Sequence, residues 1–224
     1  MAEIWIQEEK ITEKFFDDLG HYTKVEGELN SIYFIGEGTE GDYVDSNKSY
    51  LLDFLMAQNQ YPLYLTFIPY DDQVEEFITF LQENKMDYRF FHLEETRTYY
   101  TLFKKHQYHP PCFVVEVIDS LSLKLLVEET FWLPAQNEFY AISYSDNIAF
   151  RLESVKEWGR KKERSIPVFK VEGDTTFIMI FHDGAGFYLF SNEEKYSTVE
   201  ELCSRLPKGT VITQINDTLV DKSE

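Results

Sequence analysis

Short apolar runs alternate with stretches of helical spacing through the first half of the chain. Residues 31–35 (SIYFI) read as a strand, followed by a glycine-rich loop. A helix then starts near Ser46 and runs through Leu51, Leu52, Leu55 and Met56. Residues 63–68 (LYLTFI) form a second, almost continuously apolar strand. Asp71 or Asp72 then caps a helix with Val74, Phe77, Ile78 and Leu81 on one face and Glu75, Glu76 and Glu83 on the other. Residues 88–93 read as a third strand, a helix carrying Tyr99, Leu102 and Phe103 follows, and 112–118 (CFVVEVI) reads as a buried strand. This order predicts a largely parallel sheet with helical crossovers, because parallel strands are covered on both faces and lose their polar alternation.

The second half changes period. Strand patterns at 139–144, 148–152, 167–171, 176–181 and 187–190 lie close together, separated by turn residues such as Gly173-Asp174 and Asp183-Gly184. They predict an antiparallel meander. The segment Ser197-Thr198-Val199-Glu200 has capping-box spacing and opens a late helix with Val199, Leu202 and Leu206 on one side, before a last strand at 210–215. The expected fold class is thus α/β to α+β: an acidic unit over 1–125 with a largely parallel sheet, then an antiparallel β-rich unit over 126–224. No linker rich in Pro, Gly or Ser separates them, so the two units can pack as one.

Composition supports a globular core, with 43% hydrophobic residues and 17% aromatics in 224 residues. Charge sharpens the picture. Acids outnumber bases 40 to 21, a formal net charge of −19. Residues 1–95 hold 21 of the acids and 6 of the bases. A field of that sign opposes nucleic acid and anionic membrane and favours basic partners. The start MAEIWIQEEK lacks a basic segment followed by an apolar one, and no apolar run approaches the length of a membrane helix. With two isolated cysteines, Cys112 and Cys203, and no disulfide framework, the expected location is the cytoplasm.

Candidate chemistry is sparse. Gly36-Glu37-Gly38-Thr39-Glu40-Gly41 matches a dinucleotide fingerprint by spacing, but Glu37, Glu40 and Asp42 would repel a phosphate and the helix starts too late. Glu37, Glu40, Asp42 and Asp45 depart from the alternating pattern of a calcium loop. His106, His109 and Cys112 are the one cluster of soft-metal ligand types, but no second pair stands nearby to complete a zinc site, and Pro110-Pro111 interrupts a shared helix. No cofactor is expected. His182-Asp183-Gly184 reads as a hairpin turn, since adjacent residues on an extended chain point apart and would not form a dyad. Residues 156–164 (KEWGRKKER) are the single basic run, five bases and two acids around Trp158, expected as a solvated loop or as one that docks on the acidic half. Tyr50, Phe54, Tyr99, Tyr100 and Phe103 sit at helical spacing and are expected as core or as partly exposed packing, not as a cofactor site.

Two functions follow as expectations. The first is a non-enzymatic protein that binds a basic partner, of immunity, inhibitor or adaptor type, through Glu37, Glu40, Asp42, Asp71, Asp72, Glu75, Glu76 and Glu83. The alternative is a small-molecule enzyme with its site at the C-terminal ends of the parallel strands, among residues 36–42, Tyr70, Asp71, Asp72, Glu94 and Glu95.

Overall fold

The apolar runs do become strands, but they pair in an order that neither half of the chain dictates alone. A computed structural model describes residues 2–37, 41–100 and 104–220. Its strands are β1 (Glu3–Glu8), β2 (Lys24–Glu26), β3 (Ser31–Gly36), β4 (Leu63–Phe67), β5 (Asp87–His92), β6 (Arg97–Tyr100), β7 (Lys105–Tyr108) and β8 (Pro111–Val117). They continue with β9 (Tyr140–Ser143), β10 (Ile148–Glu157), β11 (Arg160–Lys170), β12 (Thr176–Ile180), β13 (Phe187–Ser191), β14 (Val211–Ile215) and β15 (Thr218–Leu219). The helices are α1 (Glu13–Asp18), α2 (Tyr43–Gln58), α3 (Val74–Glu83), α4 (Ser120–Thr130), α5 (Trp132–Ala135) and α6 (Val199–Ser204).

Ten strands form one sheet in the order β15-β14-β1-β3-β13-β12-β9-β4-β8-β5. Every pairing in it is antiparallel except β1 with β14. The expected parallel sheet over the first half is therefore corrected. β3 and β4 are not neighbours: β13, β12 and β9 lie between them. The physical inference behind the expectation was half right. β3 is buried at all six positions, because both faces of the sheet are covered, but the covering layers are helices on one side and a second sheet on the other.

Strand alternation sorts the core accordingly. Ile178 of β12 belongs to the same core as Leu51, Phe54, Leu81, Leu126 and Leu202 of the helices. Its neighbours Phe177 and Met179 turn to the opposite face, where Phe169 and Val171 and the partly buried Phe15 and Phe16 of α1 lie. On that face a small sheet of order β10-β11-β2 packs. An aromatic column ties it down: Phe169 of β11 stacks on Phe177 at 4.0 Å, and Phe177 on Phe190 at 4.6 Å. Emptying the middle ring with Phe177→Ala removes a fully buried aromatic, a class of change that costs about 3–5 kcal/mol.

Two further expectations are corrected. The helix around Tyr99 is a hairpin of β6 and β7, with Tyr99 stacked on His106 at 4.9 Å; Leu102 and Phe103 lie outside the described residues. Tyr99 is partly exposed and packs on His106 and Tyr108, whereas Tyr100 is 76% exposed. The basic run is not a loop: β10 and β11 pair from Ile148↔Phe169 to Glu157↔Arg160, leaving only Trp158 and Gly159 as the turn. The late helix α6 is capped by Thr198, whose hydroxyl accepts from the Glu201 N–H at 3.2 Å, one residue past Ser197. Among the described residues, no helix is long and apolar enough to cross a membrane.

Candidate functional site

The helical layer carries the acids. The segments of α2, the turn Asp71–Gln73 with α3, α4 and α6 hold eleven carboxylates and two lysines. Asp45, Asp53, Asp71, Asp72, Glu75, Glu76, Glu83, Glu128, Glu200 and Glu201 are exposed, and Glu129 is half-buried. The helix periods account for this: Phe77 and Leu81 of α3 and Leu123, Leu126 and Val127 of α4 face the sheet, which turns the acids outward. Of the two lysines, Lys48 is held by Asp45 at 2.8 Å and Glu128 at 3.2 Å. Glu75, Glu76, Glu83 and Glu129 border a shallow groove with Thr79 and Phe80. Apolar side chains break the acidic surface: Leu121 is 66% exposed and Leu125 39%, four residues apart on α4, with Ile118 just ahead of them.

Of the sequence-derived partner residues, Asp71, Asp72, Glu75, Glu76 and Glu83 share the α3 segment. Glu37 and Asp42 stand apart, lining a second shallow groove with Asp45 and Asp53 of α2. There the buried Asn47 accepts from the Glu37 N–H at 2.9 Å, and burial raises the Glu37 carboxyl above its ordinary pKa. Gly38, Thr39 and Glu40 lie outside the described residues.

The soft-metal candidates are dispersed in role. His106 stacks on Tyr99 in the hairpin, His109 Nδ1 lies 2.9 Å from the Glu95 carbonyl, and Cys112 is fully buried on β8. Burial pushes the Cys112 thiol up, away from the thiolate a metal needs. Among the described residues no group of three His, Cys, Asp or Glu side chains is placed to hold a metal ion.

A deeper feature went unread in the sequence. A polar cleft of about 660 Å³ opens between the β6–β7 hairpin, the small sheet and the end of β9, lined by His21, Tyr22, Arg97, Tyr108, Glu138 and Arg164 among others. A second cavity of about 420 Å³ adjoins it, sharing His21, Asn137 and Glu138 and adding Met179, Phe181, His182 and Tyr188. Glu95, 2% exposed, anchors the cleft floor. Its Oε1 accepts from Arg97 Nε at 2.6 Å and its Oε2 from the Ser165 N–H at 2.7 Å. Arg97 also donates to Glu138 at 3.1 Å. The cluster clamps the small sheet to the main one, and removing one partner of such a buried pair costs about 3–5 kcal/mol.

Backbone strain gathers at the same place. His21, Tyr22, Asn137 and Asp183 all adopt left-handed conformations, with φ of 63°, 57°, 61° and 58°. His182-Asp183-Gly184 does lie in the hairpin turn joining β12 and β13, but the left-handed Asp183 corrects the expectation that the two side chains point apart. The kinked turn between β12 and β13 brings the two side chains together, His182 Nδ1 to Asp183 Oδ2 at 2.8 Å. Asn137 completes the arrangement, donating to Asp183 Oδ1 at 2.7 Å and accepting from its N–H at 2.9 Å. Hydrogen bonds from Asn137 and then His182 hold the Asp183 carboxyl below its usual range. Gly186 (φ 134°) lets this turn close against β3, where a Cβ would sit 2.6 Å from the Ile35 oxygen. His21 is crowded by protein yet still open to the cleft; that crowding, then Arg97 and His182, lowers its pKa to about 4, so the imidazole is neutral at pH 7. Among the described residues of the expected enzyme site, Glu95 alone lines this cleft.

The small sheet on the opposite face is basic, although α1 on the same face adds Glu13, Asp17 and Asp18 against Lys14. The three strands of the small sheet hold eight bases and four acids. Lys24–Glu153, Arg151–Glu26, Lys162–Glu157 and Arg164–Glu157 are paired at 2.5–2.6 Å. Lys156 and Lys161 stand directly opposite each other across the ladder, and Trp158 at the tip is 99% exposed.

Compared with models of known protein families, with curated proteins and with solved structures, the chain matches none.

Proposed function

We propose that this chain is a non-enzymatic binding protein of the cytoplasm that holds a basic partner protein on its helical face. The observation that carries the reading is the gathering of eleven carboxylates and two lysines on one layer, interrupted by the exposed Leu121 and Leu125. Apolar anchors inside a charged rim are the anatomy of a protein interface, with the charge steering the encounter and the apolar centre holding it. An immunity, inhibitor or adaptor role is of this kind. Glu75, Glu76 and Glu83 make the direct contacts in this reading, with Asp71 and Asp72 beside them.

The test is affinity purification from the cells of origin at low salt, with the wild type and a Glu75→Lys/Glu76→Lys/Glu83→Lys variant. A basic protein should be retained by the wild type, elute with salt, re-form a stoichiometric complex when both components are purified, and bind the variant at least about tenfold more weakly. Equal retention by the variant, or no partner at all, would defeat the reading.

A second reading, a small-molecule enzyme, draws on the cleft, where the His182–Asp183 pair and the strained His21 and Tyr22 meet. It requires a ligand there, and a broad thermal-shift screen that finds none would remove it.

A further inference from the structure

The tip of the β10–β11 ribbon is built at a cost that the fold does not explain. Trp158 and Gly159 form a two-residue turn with φ of 49° and 78°, the mirror-image turn whose first position suits Asn or Gly and not a bulky ring. The indole is 99% exposed, so the chain itself gains no packing from it. Next to it Lys156 faces Lys161, a like-charge pair that weakens a ladder. Arg160 completes the cationic collar; of the acids near the tip, Glu157 binds both Lys162 and Arg164, while Glu163 is exposed. Depression of the Glu157 carboxyl to about 2 by hydrogen bonding from Arg164 keeps that pairing intact at every physiological pH.

We infer that this tip docks on the helical face of a second copy of the chain. The inference rests on the reading of that face as a binding surface for basic groups, and gives it a further occupant, the basic ribbon tip of another copy of this acidic chain. The complement is present in the same molecule. An exposed aromatic inside a basic collar meets exposed Leu121 and Leu125, which share α4 with Lys124 between them and with Glu128 and Glu129 beyond, the latter bordering the groove of Glu75, Glu76 and Glu83. Indole is an amphipathic anchor of high contact area, and a desolvated Trp is a common centre of binding energy. The two surfaces lie on opposite sides of the ten-stranded sheet, as the separate cores show. The contact is therefore head-to-tail, and copies add to one another in a ring or a chain. The net charge of −19 opposes such approach in very dilute salt. At about 0.15 M ionic strength, where the screening length is roughly 8 Å, the local pairs decide the outcome.

Sedimentation velocity at that ionic strength tests the inference with three proteins. The wild type should show a sedimentation coefficient that climbs with concentration. A ribbon variant, Trp158→Asn/Lys161→Glu, keeps a residue suited to the turn and should associate roughly 30-fold more weakly or less. A helix variant, Leu125→Lys/Glu129→Lys, should do the same. Mixing the two variants is the decisive arm. Each retains one intact surface, so the mixture should form a one-to-one dimer and stop there. A wild type that stays monomeric at all concentrations overturns the inference, and so does an associating wild type whose variants fail to complement. The two readings separate cleanly. If the wild type is monomeric yet a different basic protein binds the face and is lost from the helix variant, the self-docking idea falls and the partner-binding reading stands. If neither association nor such binding occurs, both fall.

Discussion

His21 concentrates the energetics of the cleft in one residue. Its backbone is left-handed and its imidazole resists protonation until about pH 4, because protein crowds it and Arg97 and His182 stand nearby. The unfolded imidazole binds a proton near pH 6.5. Between those values the unfolded chain holds more protons, so stability is full above about pH 6.5 and declines as pH falls toward 4. His21→Asn tolerates the same φ and cannot titrate. Its thermal midpoint should fall less than that of the wild type between about pH 6.5 and 4.5; parallel curves would mean the imidazole is free to protonate in the fold. The neighbouring Glu95 acts differently, as a buried connector whose two oxygens bind Arg97 and the Ser165 backbone.

At the level of elements, the ribbon turn separates conformational cost from use. Gly159 at φ 78° should not tolerate a side chain: Gly159→Ala costs about 1 kcal/mol, read as a lower urea midpoint. Trp158→Asn should move the midpoint the other way by about 0.5–1 kcal/mol, because Asn fits the left-handed position better than Trp. A stabilising change at a fully exposed residue would show that the indole is not kept for the fold. The same ribbon marks the limit of what the sequence discloses. The apolar runs at 31–35, 63–68 and 112–118 read as strands because composition alone betrays burial on two faces, and they become β3, β4 and β8. Pairing is settled by contacts between distant segments, such as Tyr33 with Leu189, which no local pattern records. The segment at Tyr99 reads as a helix because the five residues from Tyr99 to Phe103 are too few to separate a period of 3.6 from one of 2. The acids of α3 were legible, since Val74, Phe77, Ile78 and Leu81 fix which way Glu75, Glu76 and Glu83 point. The cleft was not, because left-handed backbone at His21, Tyr22 and Asp183 is imposed by tertiary packing on residues that do not announce it.

Across the whole molecule, helices α2, α3, α4 and α6 on one side of the sheet are acidic and the ribbon on the other is basic, while most acids of residues 1–95 lie outside that helical layer. Like charges on the helices repel, and surface ion pairs offset little of that. Raising NaCl from about 10 mM to 150 mM should therefore raise the thermal midpoint of dilute protein, as screening relieves the acidic layer; a fall would mean that the ion pairs of the small sheet dominate. The order of the strands has a consequence at the ribosome. β3 is made early, yet the neighbour on one of its flanks is β13, completed only at Ser191, and β4 waits for β9. Until then the emerging polypeptide carries open strand edges rich in Ile, Tyr and Phe, the kind that recruit other chains. The same stretch, through residue 95, bears 21 acids against 6 bases. Mutual repulsion between nascent chains thus guards the edges during the interval in which the fold cannot yet cover them.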